Sequence, residues 1–149
     1  MISNQAGSTR VLLADDDDDD RLLFLDVLKE LQTPVNLSVA ANGEILMGML
    51  NNSTLPDLVF LDLNMPLKNG FECLHEIRSE DRLQDLPVII FSTSSQPSAI
   101  DQVYKAGAQL YIRKPNDFTQ LKKVIDHVIS IHWRKKSFQP PREEFVLSI

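Results

Sequence analysis

A chain of 149 residues, 43% of them hydrophobic, can bury one core of ordinary domain size and has no room for a second globular domain. The formal charge is −6, yet six of the 21 acids stand in the unbroken run Asp15–Asp20 and the others equal the 15 Lys and Arg; the acidity is one spot that favours a cation, with little to draw nucleic acid. A single cysteine, Cys73, excludes an internal disulfide and a thiolate-built zinc centre, and no apolar stretch reaches the roughly 18 residues of a membrane span. With a polar rather than signal-like start, Met1 to Arg10, a soluble cytoplasmic protein is expected.

Along the chain, Val11-Leu12-Leu13-Ala14 predicts a first strand buried on both faces, ending directly in Asp15-Asp16. Asp17 to Asp20 are expected to enter a first helix, where the dipole favours each carboxylate by about 0.3–1 kcal/mol, with Leu22, Leu25, Leu28 and Leu31 at helical spacing. Val35 to Ala40 predicts a weaker strand, followed by a helix carrying Ile45, Met49 and Leu50. Leu58 to Leu61 predicts a strand ending in Asp62; the helix after it carries Phe71, Leu74 and Ile77, among which Cys73 reads as a buried, inert thiol. Val88 to Phe91 ends in Ser92-Thr93 and precedes a helix with Ile100, Val103 and Tyr104. Leu110-Tyr111-Ile112 ends near Lys114-Pro115, and a last helix carries Leu121, Val124, Ile125 and Val128. Turn formers, including Pro34, Asn42-Gly43, Asn69-Gly70 and Gly107, fall at the joints. After Trp133 the pattern fails: a basic patch (Arg134, Lys135, Lys136), a Pro140-Pro141 break and an apolar end, Phe145-Val146-Leu147, which reads either as a loose terminus or as a segment that docks on a partner or a second copy. His75, His127 and His132 lack ligand spacing and are expected on the surface.

Five alternations of strand and helix predict an α/β fold with helices on both faces of a parallel sheet and a ligand crevice beyond the strands' carboxyl ends. Asp15-Asp16, Asp62, Ser92 and Lys114 all stand there. Carboxylates packed together repel one another, and hard oxygen ligands of this kind suit Mg²⁺. A carboxylate can also attack phosphorus to give an aspartyl phosphate, with a metal and a lysine neutralising the transferred group.

The ordered set Asp15-Asp16, Asp62-Leu63-Asn64-Met65-Pro66 with Asn69-Gly70, Ser92 and Lys114-Pro115 closely resembles the receiver domain of bacterial two-component response regulators, over about Arg10 to His132. The resemblance implies a doubly wound, flavodoxin-like five-stranded parallel sheet of order 2-1-3-4-5. It makes Asp62 the phosphoacceptor, Asp16 and Asp62 direct Mg²⁺ ligands, Asp15 a ligand mainly through water, and Asn64 a ligand through its backbone carbonyl. It implies that Lys114 pairs with the phosphoryl oxygens, that Ser92 hydrogen-bonds to them, and that Tyr111 switches its rotamer with Ser92, although an edge aromatic is also ordinary half-buried packing. Pro115 matches a proline whose peptide bond is usually cis. The expected organisation is an N-terminal arm (1–9), a receiver (10–132) and an extension without an output domain (133–149). Expected partners are a sensor histidine kinase or histidine phosphotransfer protein, a downstream protein target, and a second copy through the face near Ile100–Ala106, Tyr111 and Leu121–Val128, with no nucleic acid and no membrane. The protein is expected to be no enzyme beyond its own phosphorylation and dephosphorylation.

Rival readings are weaker on detail. Aspartyl-phosphate phosphohydrolases place an acid where Asn64 stands. A flavin module of this architecture needs a Gly/Ser/Thr-rich phosphate loop where six aspartates stand. A calcium loop requires glycine at Asp20. Thr93 stands where the resembled family often has a smaller residue, which bears on access to the phosphoryl group.

Overall fold

The computed structural model describes residues 8–52, 54–131, 133 and 139–147. Strands β1 (Thr9–Ala14), β2 (Val35–Ala40), β3 (Leu58–Leu61), β4 (Val88–Ser92) and β5 (Leu110–Arg113) alternate with helices α1 (Asp18–Glu30), α2 (Gly43–Asn52), α3 (Gly70–Ser79), α4 (Pro97–Lys105) and α5 (Phe118–Ser130). All neighbouring strands pair in parallel, in the order β2-β1-β3-β4-β5. The predicted sheet is therefore the observed one.

Successive strand residues point to opposite faces, so each strand feeds two cores. Leu12, Ala14, Val59, Leu61, Val88 and Ile90 pack with α2, α3 and α4, while Val11, Leu13, Leu58, Phe60, Ile89 and Phe91 pack with α1 and α5. Central β3 and β4 are buried along their whole length, as their unbroken apolar sequences require. Edge strand β2 exposes Asn36 and Ser38, which explains its weaker signal.

Two helix faces differ from the sequence expectation. Leu22 is 60% exposed and Leu25 is also exposed, whereas Phe24, Val27 and Leu28 face the sheet. Phe24 meets Phe60 and Phe91 edge to face, with centroids 5.0 and 5.8 Å away, and that aromatic contact selects the stripe. In α2 Ile45 is exposed while Leu46, Met47 and Leu50 are buried. Both helices carry two apolar stripes, and spacing alone cannot choose between them.

The chain end is the larger correction. Phe145 is fully buried, in edge contact with Tyr104 (4.9 Å) and Tyr111 (6.3 Å). The Tyr111 N–H donates to the Phe145 carbonyl (3.0 Å) and the Leu147 N–H to the Tyr111 carbonyl (2.9 Å), so Val146 bridges to β5 in parallel. Gln139 Nε2 donates to the carbonyls of Tyr104 and Ala108, and the Tyr104 hydroxyl to that of Pro140. Phe145-Val146-Leu147 is thus not a loose end here: it packs on this chain's own α4 and β5, because the open edge of β5 leaves its backbone groups unpaired. The basic patch 134–136, His132 and residues 1–7 of the arm 1–9 lie outside the described residues, and Thr9 of that arm already opens β1.

Candidate functional site

Each rim residue is placed by the end of a strand. Asp15 leaves β1 with its N–H donating to the Ala40 carbonyl, and Asp62 leaves β3 with its N–H donating to that of Ala14. Both side chains are buried; Asp16 between them is exposed. One carboxylate oxygen from each of Asp15, Asp16 and Asp62 lies within 4.8 Å of the others. The Asn64 N–H donates to Asp62 Oδ1 at 3.4 Å.

The loop after Asp62 is tight. Leu67 has a φ of 69°, in the left-handed region that few side chains adopt, and the Lys68 N–H donates to the Pro66 carbonyl across it. Asn69 then caps α3 in a reciprocal box with Glu72. At Gly70 a Cβ would lie 2.3 Å from the Asp62 carbonyl oxygen, so only glycine lets α3 begin this close to the rim.

Lys114, whose side chain is 10% exposed, follows β5. Its Nζ donates to Asp15 Oδ2 (2.8 Å), Asp20 Oδ2 (2.8 Å) and Asp62 Oδ2 (3.2 Å), and it stands 5.5 Å from the centre of the Phe91 ring. Burial raises the Asp15 and Asp62 carboxyls above their ordinary range, more than Lys114 lowers them. Burial would lower the Lys114 ammonium, but its bonds to Asp15 and Asp20 outweigh that and raise it. One ammonium facing three acids is itself well neutralised while leaving each acid only partly so.

Ser92 is buried, and its Oγ accepts from the Ser94 N–H at 3.2 Å. Thr93 beside it is exposed. Tyr111 is fully buried rather than half-buried, its hydroxyl donating to the Ser94 carbonyl at 2.8 Å with Phe145 against its ring. The tail covers the position that edge packing would have left open. No cis peptide bond occurs among the described residues, so the bond between Lys114 and Pro115 is trans, the form an X–Pro amide favours by about 0.5–1 kcal/mol.

The structure thus brings together Asp15, Asp16, Asp62 and Lys114, with Asn64 and Ser92 beside them. The expectation for the acidic run is partly met: Asp17 caps α1 by accepting from the Asp20 N–H, and Asp18 to Asp20 form the first turn. Asp20 also reaches Lys114, 94 residues away, a contact that helix-start chemistry does not imply. Elsewhere Cys73 is buried, and burial pushes its thiol up to about 11; His75 and His127 are exposed. Among the described residues no helix is long and apolar enough to cross a membrane.

Known proteins resemble the chain in sequence and in fold. The response regulator Rcp1 of Synechocystis is 30% identical over 126 residues, covering 80% of this chain and 86% of that protein. The phosphorylated cyanobacterial phytochrome response regulator RcpA superposes with a TM-score of 0.76 at 30% identity over 81% of this chain and 91% of that one; the Mn²⁺-bound form of Rcp1 gives 0.76 at 29% identity over 89% and 99%. The chain spans about half the length of other curated relatives: the probable methanogenesis regulatory protein FilR2 of Methanothrix harundinacea is 32% identical over 50% of this chain and 48% of that protein. The sequence pattern described as the response regulator receiver domain matches residues 11–126, most of the chain. With that match, the 2-1-3-4-5 sheet and the acidic rim pocket, the chain belongs to the family of response-regulator receiver domains.

Proposed function

We propose that the chain receives a phosphoryl group on Asp62 from a phosphohistidine of a sensor kinase or phosphotransfer protein, and that the modified domain signals to a protein target in the cytoplasm. The carrying observation is the convergence of Asp62 with Asp15, Asp16 and Lys114 at the ends of three different strands. A structural role requires none of these to match the others.

The donor set is all hard oxygen and carries more negative charge than Lys114 balances, which fits Mg²⁺ held by Asp16 and Asp62 directly, Asp15 mainly through water and the Asn64 backbone carbonyl. When bound, the ion neutralises charge on the nucleophile and on the phosphoryl oxygens. An Asp62 carboxylate oxygen forms the new bond to phosphorus as the N–P bond to histidine breaks, with the electron pair returning to the ring. Lys114 then donates to a phosphoryl oxygen. Hydrolysis later adds water at phosphorus and restores the carboxylate. Ser92 is two residues from the Ser94 carbonyl that holds Tyr111, so a Ser92 hydroxyl drawn to the phosphoryl group disturbs the segment on which Tyr111 and the tail rest. The face of α4, β5 and α5, part of which the tail covers, is the surface through which a target or a second copy would read that change.

Incubation with acetyl phosphate tests the reading. Intact mass is expected to rise by one phosphate in a Mg²⁺-dependent way and not to rise in Asp62→Asn. A phosphate retained in that variant would place the acceptor elsewhere.

A further inference from the structure

We propose that Asp20 is a positioning residue that competes with the phosphoryl group for the Lys114 ammonium and so restrains phosphorylation of Asp62. The inference rests on the phosphoacceptor reading above and adds to it a residue that sets the rate.

The Lys114 ammonium has three hydrogens, and three carboxylates engage it: Asp15, Asp20 and Asp62. Nothing is left over for an incoming phosphoryl oxygen, so one bond must be exchanged. The Asp15 side chain is fully buried and would be left dry and charged if released. The Asp20 side chain is 36% exposed, so water can replace the lysine at little cost. Of the two acids that remain unmodified, Asp20 is therefore the partner that lets go.

Its hold is built, not incidental. The Asp17 cap fixes the start of α1 through the Asp20 N–H (3.0 Å), and Arg21 in the next position donates to the Asp15 carbonyl (2.7 Å), clamping the helix to the end of β1. Asp18 in the same turn pairs with Arg21 instead. Only Asp20 of the first-turn acids touches the site. Helix-start preference explains three acids there equally and does not explain why one of them reaches a lysine across the rim. A carboxylate in this place offsets part of the positive charge that stabilises the transferring group and repels an anionic phosphodonor.

Removing the charge should therefore speed the reaction, opposite to what loss of a merely structural contact would do. In Asp20→Asn, phosphorylation by acetyl phosphate at saturating Mg²⁺, followed by intact mass, is expected to rise about threefold or more. Asp20→Glu, which keeps the charge, should stay near the wild-type rate, and Asp19→Asn should as well, since Asp19 makes no bond to Lys114. An unchanged or slower Asp20→Asn overturns the proposal, as does an equal gain in Asp19→Asn, which would reduce the effect to bulk charge. A loss of Mg²⁺ affinity in Asp20→Asn as large as in Asp16→Asn would make Asp20 a metal ligand and overturn it too. Failure of the wild-type protein itself to gain phosphate would instead refute the phosphoacceptor reading.

Discussion

Two part-buried cations stand at opposite ends of β4 and β5, and their partners differ in kind. At the amino ends, Arg78 donates to the carbonyls of Gly107 (2.9 Å) and Leu86 (2.8 Å) and to Gln109 Oε1 (2.7 Å), an oxygen that also accepts from the Val88 N–H. Each of these acceptors is neutral, and burial lowers the Arg78 guanidinium from the ordinary range by more than the nearby Asp85 carboxylate raises it. At the carboxyl ends Lys114 faces three carboxylates, and its ammonium is raised. The Arg78 network joins α3 to two strand starts through neutral acceptors. The Lys114 cluster holds an excess of negative charge that a cation can relieve and, on the proposed function, a bond that a phosphoryl oxygen would take. One end of the sheet is built to stay as it is, and the other to accept a change.

The largest expected effect breaks the static end. Arg78→Met removes the donors that join α3 to the starts of β4 and β5 and leaves two carbonyls and Gln109 underused in a part-buried place. A loss of about 3 kcal/mol in urea denaturation is expected. The folded fraction should still gain phosphate from acetyl phosphate, because no rim residue is touched. A stability change below about 1 kcal/mol would show that water serves those carbonyls equally well.

The next effect sharpens the contrast at the other end. Mg²⁺ at ten times its Kd should stabilise the protein by about 1.4 kcal/mol, since binding to the folded state alone shifts the equilibrium by mass action. Asp16→Asn should lose most of that gain and Asp19→Asn should keep it. Thermal melts with and without Mg²⁺ decide between a site of three acids and one formed by the whole aspartate run.

How much of this was legible in sequence follows the same divide. Strands β3 and β4 announce themselves because both of their faces are buried, and the rim residues announce themselves because strand ends carrying Asp15, Asp62, Ser92 and Lys114 have no packing reason to be polar. Long-range pairing left no such mark. Arg78 reads as one of several charges on an amphipathic helix, and its partners are 8, 29 and 31 residues away. Asp20 reads as helix-start chemistry, which it also is. The stripe Phe24, Val27, Leu28 could not be preferred over Leu22 and Leu25 until Phe60 and Phe91 were in place beneath it. The tail left no mark for another reason: Phe145-Val146-Leu147 is too short for a strand of its own, and only the free edge of β5 gives Val146 a bridge to Tyr111.

The smallest effect tests whether the excess charge is a cost to the metal-free fold. Burial raises the carboxyls of Asp15 and Asp62 above 3.8, so at pH values above that the unfolded chain has given up these protons more completely than the folded one. Where the unfolded state binds fewer protons, stability falls as pH rises, and it is fully present only when both groups are protonated. Lys114 adds no slope there: its raised value means that its contribution is complete below 10.5 and lost only as pH climbs beyond it. With Mg²⁺ chelated, stability should thus decline from about pH 4 toward neutrality. Asp62→Asn removes one buried charge while Asp15 and Asp20 still hold Lys114, so the decline should flatten and the variant should be more stable than wild type at neutral pH, by about 1 kcal/mol. Urea denaturation across that pH range measures both. A variant less stable than wild type would mean that the 3.2 Å bond between Lys114 and Asp62 outweighs the burial of the carboxylate, and the carboxyl rim would then be as settled in its metal-free form as the Arg78 end.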